Sequence, residues 1–135
     1  MDAKLKSRII GCLRKLTYSF KPRQEALNRQ KVYAATFQCQ CCNGVVYTGS
    51  KKVLDEDLTK LYPHVTIGKV SVDHIEPVVD PTSGFQGWDI YITRMFPEAS
   101  GWQVLCDPCH DNKTKTESEI RKQRKKNEKK VKERN

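Results

Sequence analysis

Two Cys-x-x-Cys pairs, Cys39/Cys42 and Cys106/Cys109, stand 63 residues apart in a chain of 135 residues. A two-residue gap lets both thiolates of a pair point at one ion, and two pairs complete the tetrahedral four-sulfur shell that Zn²⁺ prefers. The interval exceeds that of a simple zinc ribbon, so folded structure lies between the knuckles. Asn43-Gly44 follows the first pair with residue types that tolerate a tight backbone turn. Cys41 lies inside that pair and could replace a neighbour as ligand, although spacing favours Cys39 and Cys42. Four thiolates leave no open coordination position, so the expected zinc is structural. Cys12 stands alone and reads as a core residue. A redox reading of Cys106-x-x-Cys109 lacks the βαβ surroundings such a pair needs.

Composition explains why a staple is needed. Hydrophobic residues make up 37%, charged residues 30%, and mean hydropathy is −0.71, which implies one small domain with a modest core. No stretch approaches the roughly 20 apolar residues of a membrane span. Arg14 and Lys15 interrupt the apolar run that a secretory signal would need. A cytoplasmic location is therefore expected, where cysteines hold metals more often than disulfides. The net charge of +9 is unevenly spread. Residues 1–35 carry nine Lys/Arg against two Asp/Glu, residues 36–112 five against ten, and residues 113–135 eleven against four. A carboxylate-bearing middle between two basic arms suits a chain that grips a polyanion and does metal chemistry between the grips. Solvated ends are the plainer explanation of the same pattern.

Leu5, Ile9, Leu13, Leu16 and Phe20 recur at near-helical spacing among Lys and Arg, predicting an amphipathic basic helix over 3–16. Pro22 marks a break, with a weaker helix over 23–35. Val45-Val46-Tyr47 reads as a short strand, residues 53–62 as a short helix or insertion, and Gly68–Val79 as a strand running into a turn. Trp88, Ile92, Met95 and Phe96 form an apolar helical stripe, and Trp102–Leu105 a second strand. Asp107-Pro108 then supplies an N-cap and a first-turn proline. The last residues lack an apolar stripe and read as a frayed helix, or as a tail disordered until it binds. The expected organisation is basic N-terminal helices (1–35), a zinc-bearing domain (36–117) and a basic helix or tail (118–135).

Of three histidines, His64 lies in a loop and reads as incidental. His74 ends a strand beside Asp73, and His110 directly follows Cys109 at a helix start. Zinc would draw that helix start toward the first knuckle, leaving two imidazoles and a carboxylate on a hairpin and helix. Phosphodiester hydrolysis needs a base to activate water and a cation to stabilise developing charge. Neutral imidazole accepts a proton at pH 7. Asp73 and His110 offer an oxygen and a nitrogen to Mg²⁺, Mn²⁺ or a similar divalent ion. Taken singly, His110 could be a spare zinc ligand and Asp73-His74 a buried pair.

Val72-Asp73-His74-Ile75-Glu76-Pro77-Val78-Val79, followed by Leu105-Cys106-Asp107-Pro108-Cys109-His110-Asp111-Asn112-Lys113-Thr114, resembles the HNH endonuclease family, and within it the small phage-encoded type. Gly84-Phe85-x-Gly87-Trp88-Asp89-x-Tyr91-Ile92 is similar to the helix those proteins carry between the motifs. The likeness covers roughly residues 36–117, and the N-terminal helices only loosely. It implies an α+β chain built on a ββα-metal core, with Asp73 and His110 as ligands of the catalytic ion and His74 as general base. Lys113 would lie on the same helical face as His110, against phosphate or solvent. Arg121, Lys122 and Arg124 in the basic tail are further candidates for nucleic-acid contact. The family's asparagine before the second strand is replaced by Gly101, and Ser100, Gln103 or Asn112 could substitute for it. A regular strand also points adjacent residues to opposite faces, so Asp73 and His74 share a site only if the strand twists or ends there.

The expected activity is hydrolysis of double-stranded DNA by a monomer, giving 5′-phosphate and 3′-hydroxyl ends by nicking or double cutting. The competing expectations are a non-enzymatic zinc module that binds nucleic acid, and a phage accessory factor docking on packaging or recombination proteins.

Overall fold

In the computed structural model, which describes residues 1–134, the strands fall into two separate sheets. Strands β1 (Lys31–Tyr33), β2 (Thr36–Gln38), β3 (Val45–Tyr47) and β4 (Thr66–Ile67) form one sheet in that order; β5 (Val70–His74) and β6 (Trp102–Cys106) form the other. Around them lie α1 (Ala3–Thr17), α2 (Lys21–Arg29), α3 (Glu56–Leu61), α4 (Trp88–Met95) and α5 (Asp107–Arg134), with a 3-10 turn at Ala99–Gly101. The fold class is α+β, as expected. No helix among the described residues is long and apolar enough to cross a membrane.

The β5–β6 ladder holds the molecule's centre. Its antiparallel register sets Val70 opposite Cys106, Val72 opposite Val104, Asp73 opposite Gln103 and His74 opposite Trp102. Val104 and Leu105 are fully buried and Trp102 nearly so. Buried apolar side chains of this size stabilise a fold by about 1.5–3 kcal/mol each. α2 packs on β6 and on the 3-10 turn, so the N-terminal helices are fixed to the same ladder. Phe20, just before α2, meets Phe96 edge-on at 5.2 Å and Trp102 at 6.4 Å.

Several local expectations need correcting. Residues 31–38 form a hairpin and do not continue the second helix, because Ala35 adopts a positive φ of 54° that reverses the chain. That hairpin straddles the expected boundary at 35/36. The break expected near Pro22 falls at residues 18–20, and Pro22 itself lies in the first turn of α2, where its missing N–H removes no intrahelical bond. The inner face of α1 comprises Ile10, Leu13 and the buried Thr17, while Leu5 and Leu16 are exposed. Cys12 is exposed on that helix too, not in the core. In α4 the buried face is Tyr91 and Met95, one turn apart, with Trp88 half-buried and Ile92 exposed. The basic tail is a continuation of α5, a single helix of 28 residues. It is polar all round, and i,i+4 pairs such as Arg124–Glu128 (3.5 Å) support it.

Gly101 has a steric reason. A Cβ built there would lie 2.5 Å from the Cβ and 2.9 Å from the Cγ of Pro97, whose ring cannot swing aside. The Gly101 carbonyl also accepts from the Ile75 amide at 3.0 Å, tying the end of β5 to the turn. Gly101→Asn is therefore expected to destabilise the chain by about 1–3 kcal/mol in urea unfolding. A variant as stable as the parent would show that this packing is not limiting.

Candidate metal centre and active-site cleft

The ligand atoms of Cys39, Cys42, Cys106 and Cys109 all lie within 4.8 Å of one another. Cys42 Sγ and Cys106 Sγ are 3.8 Å apart. That matches the edge, about 3.8 Å, of a tetrahedron with metal–sulfur arms near 2.3 Å. The first knuckle is a tight turn: Asn43 takes a φ of 62° and its amide donates to the Cys39 carbonyl at 3.0 Å. The Cys41 and Gly44 amides donate to the sulfurs of Cys39 and Cys42, each at 3.4 Å. Cys41 is exposed and outside the four-sulfur group, so the ambiguity in the first pair resolves to Cys39 and Cys42.

Thiols this close cannot all ionise alone. Burial pushes the Cys39 thiol up, but backbone amides of Cys42, Cys106 and Cys41 outweigh it and bring the thiol down to about 6. Cys109 moves strongly the other way, chiefly through the neighbouring Cys106 sulfur. Burial raises Cys106 as well. A dication removes the conflict by holding every sulfur as thiolate. The donor set therefore fits a structural metal, with no position left for substrate.

Gln40, which sequence reasoning passed over, makes a second bond across the same junction. Its amide donates to the Val104 carbonyl at 2.8 Å, and its side-chain Oε1 accepts from the Val104 amide at 2.7 Å. The first knuckle is thus hydrogen-bonded into β6 three residues before the start of α5.

Beside this centre lies a cleft of about 710 Å³ lined by Asp73, His74, His110 and Lys113, with Arg14, Arg23 and Arg121 among its walls. Asp73 and His74 both reach it because β5 ends at His74. The His74 ring stacks on Trp102 at 4.0 Å between centroids, and its Nε2 lies 2.9 Å from the Met95 carbonyl oxygen. A carbonyl can only accept, so Nε2 carries the proton and Nδ1 of the neutral ring is left as acceptor. Burial lowers the His74 pKa first; the Met95 carbonyl and Asp73 work against that, and the cations Lys113 and Arg23 reinforce it.

Lys113 does not stand free. Its ammonium bonds the Asp73 carboxylate and the His74 carbonyl, and Glu117 lies 3.4 Å away. Arg121 lines the cleft, whereas Lys122 is exposed outside it. Arg124 packs under the 80–84 loop instead: a Cβ on Gly84 would meet its Nη1 at 2.8 Å, and Nη1 is 3.5 Å from the Pro81 carbonyl. Its Nε is buried, facing Glu128 without hydrogen-bond alignment. Ser100, Gln103 and Asn112 do not line the cleft, and the Met95 carbonyl and Trp102 ring orient His74. Arg14 and Arg23 escaped the sequence reading because an arginine's side of a helix is visible only once the helix is docked.

Comparison with known protein families, with curated proteins and with solved structures returns no match.

Metal analysis of the purified chain is expected to find one tightly held ion. Cys39→Ser or Cys106→Ser should lose it and much of the cooperative unfolding transition, whereas Cys12→Ser and Cys41→Ser should keep both. Equal metal content in all four variants would remove the four-cysteine assignment.

Proposed function

We propose that the chain is a metal-dependent DNA endonuclease of the HNH type, with a ββα-metal core formed by β5, β6 and the first turns of α5. The observation that carries the reading is the state of His74. It is half-buried, held by a carbonyl on one ring nitrogen and free to accept on the other, and it opens into the cleft that Asp73 and His110 share. Zn²⁺ is the ion best matched to the four cysteines.

Asp73 and His110, which line the same cleft, would supply one oxygen and one nitrogen to a hard dication such as Mg²⁺ or Mn²⁺, with water and phosphate oxygens completing its shell. That ion, when bound, would stabilise charge on the phosphate and on the leaving oxygen. His74 Nδ1 takes a proton from water as the water oxygen bonds to phosphorus. The bond from phosphorus to the 3′ oxygen breaks, leaving a 5′-phosphate and, after protonation, a 3′-hydroxyl. Trp102 and Met95 hold the imidazole in place for this transfer. Lys113 holds the Asp73 carboxylate, so metal entry requires that pair to open or to share the carboxylate.

The same Lys113–Asp73 pair favours a second reading, a zinc-stabilised nucleic-acid-binding module without catalysis, since a carboxylate already neutralised has less pull on a dication. Supercoiled plasmid with Mg²⁺ or Mn²⁺ separates the two. The nuclease reading expects nicking that falls at least about 100-fold in His74→Ala and also falls in His110→Ala. Plasmid bound but left intact would establish the second.

The acid limb of the rate should lie below the ordinary imidazole value of about 6.5, because the lowered pKa keeps His74 neutral further into acid. The same shift bears on stability. Below about pH 6.5 the unfolded chain takes up a proton that folded His74 refuses, so its contribution is present above that pH and is lost as pH falls toward the folded value. A pH–rate profile at saturating metal, and urea midpoints between pH 5 and 8, check both. A limb above 6.5 counts against His74 as base.

A further inference from the structure

The half-buried cations of α2, α4 and α5 fall into two groups. Lys113, Arg94 and Arg124 each lie against a carboxylate: Lys113 against Asp73 and Glu117, Arg94 with Glu76 at 3.3 Å, and Arg124 with Glu128 at 3.5 Å. Arg23 and Arg121 are also half-buried and line the cleft, yet neither forms an ion pair among the described residues. A half-buried guanidinium without a counter-charge is costly unless an anion joins it. Burial does lower the Arg23 pKa. Its guanidinium carbon stands 5.1 Å from the Tyr18 ring centroid, a contact that orients the group without neutralising it. Arg14, exposed on α1, reaches the same cleft. Three helices, α1, α2 and α5, thus each present an arginine to the space in front of His74.

We propose that Arg23, flanked by Arg14 and Arg121, is a phosphate-binding residue that holds a non-reacting phosphate of the nucleic-acid strand beside the one attacked at His74. The inference rests on the nuclease reading for the position of the attacked phosphate, and on unpaired charge for the binding itself. A planar guanidinium matches two phosphate oxygens at once, which an ammonium cannot. Arg23 sits in the first turn of α2, and α2 packs on β6, so a phosphate held there has a fixed position relative to His74. The strand would then enter the cleft in one direction, with the N-terminal helices forming one wall of the site and not a detachable arm.

The test is fluorescence anisotropy with an end-labelled duplex oligonucleotide over a salt series, without added divalent ion and with the zinc retained. Arg23→Gln is expected to raise Kd about tenfold and to reduce the slope of log K against log salt by about 1. Arg23→Lys should keep the slope and lose part of the affinity. Lys60→Gln, exposed on α3 and outside both the cleft and the basic arms, should stay within twofold of the parent. Zinc content and a thermal melt establish folding. Should Arg23→Gln not fold, Arg14→Gln carries the test, because an exposed residue can be changed without opening the core, and a weaker shift in the same direction is expected. Parental Kd and salt slope in Arg23→Gln and Arg14→Gln overturn the clamp. Because the readout is binding, a parent that cuts no plasmid but binds through Arg23 sinks the nuclease reading alone. A parent that cuts, with Arg23→Gln binding normally, sinks the clamp alone.

Discussion

The junction between the first knuckle and the end of β6 is the constraint on which the other features rest. Four sulfurs and the two Gln40–Val104 hydrogen bonds join the four-stranded sheet to the two-stranded one. Neither sheet is self-sufficient. Among the described residues no strand exceeds five residues, and the fully buried side chains are few. A structural zinc site contributes about 10–16 kcal/mol of apparent binding free energy, against a total stability of about 5–15 kcal/mol for a typical domain. With a core this modest, an ion held by the four cysteines would contribute on the scale of the whole stability, and folding would be coupled to metal occupancy. The cleft inherits that dependence, because β6 carries Trp102 under His74 and α5 begins at the second knuckle with His110 next to Cys109.

Charge is arranged around the cleft with the same economy of parts. Lys113 spends its donors on Asp73, Glu117 and the His74 carbonyl, holding in place the strand end from which the two proposed site residues project. Burial lowers the His74 pKa first, and the nearby cations Lys113 and Arg23 add to that while Asp73 opposes it. An imidazole that must accept a proton is helped by nearby cations, whereas a carboxylate that must bind a cation is hindered by them. One lysine therefore acts in opposite senses on two neighbours.

How much of this was legible in the chain follows from how local each signal is. The Cys-x-x-Cys pairs, the strand ending in Asp73-His74 and the helix start at Asp107-Pro108 are set by near neighbours and could be read directly. The β1–β2 hairpin could not, because Ala35 is no usual carrier of a positive φ and the strands are three residues each. The parallel pairing of Thr66–Ile67 with β3 is equally silent, being two residues held by a distant partner. Helix α1 was legible as a helix but not in its rotation. Its apolar positions span more than one face, and docking buries Thr17 while exposing Leu16. The tail's helicity rests on α5 being already nucleated at the knuckle, a context its own polar sequence does not contain.

Gly101 stands where the pattern this sequence resembles would place an asparagine. Here Pro97 fills the space its side chain would need, and the surrounding bonds are redistributed. The Gly101 carbonyl holds Ile75, the Met95 carbonyl holds His74 Nε2, and the Trp102 ring supports the imidazole face. Trp102 is in turn fixed by its own Nε1–H, which donates to the Pro97 carbonyl at 3.1 Å. Pro97 thus excludes the side chain and anchors its replacement. An imidazole packed on a buried indole that is itself tied to the Pro97 carbonyl, and bonded to the Met95 backbone, is held by one support without rotamers and one whose rotamer is fixed. Orientation of the His74 ring is therefore a property of the β5–β6 ladder in this chain, and it depends on the four-cysteine junction that holds β6 in place.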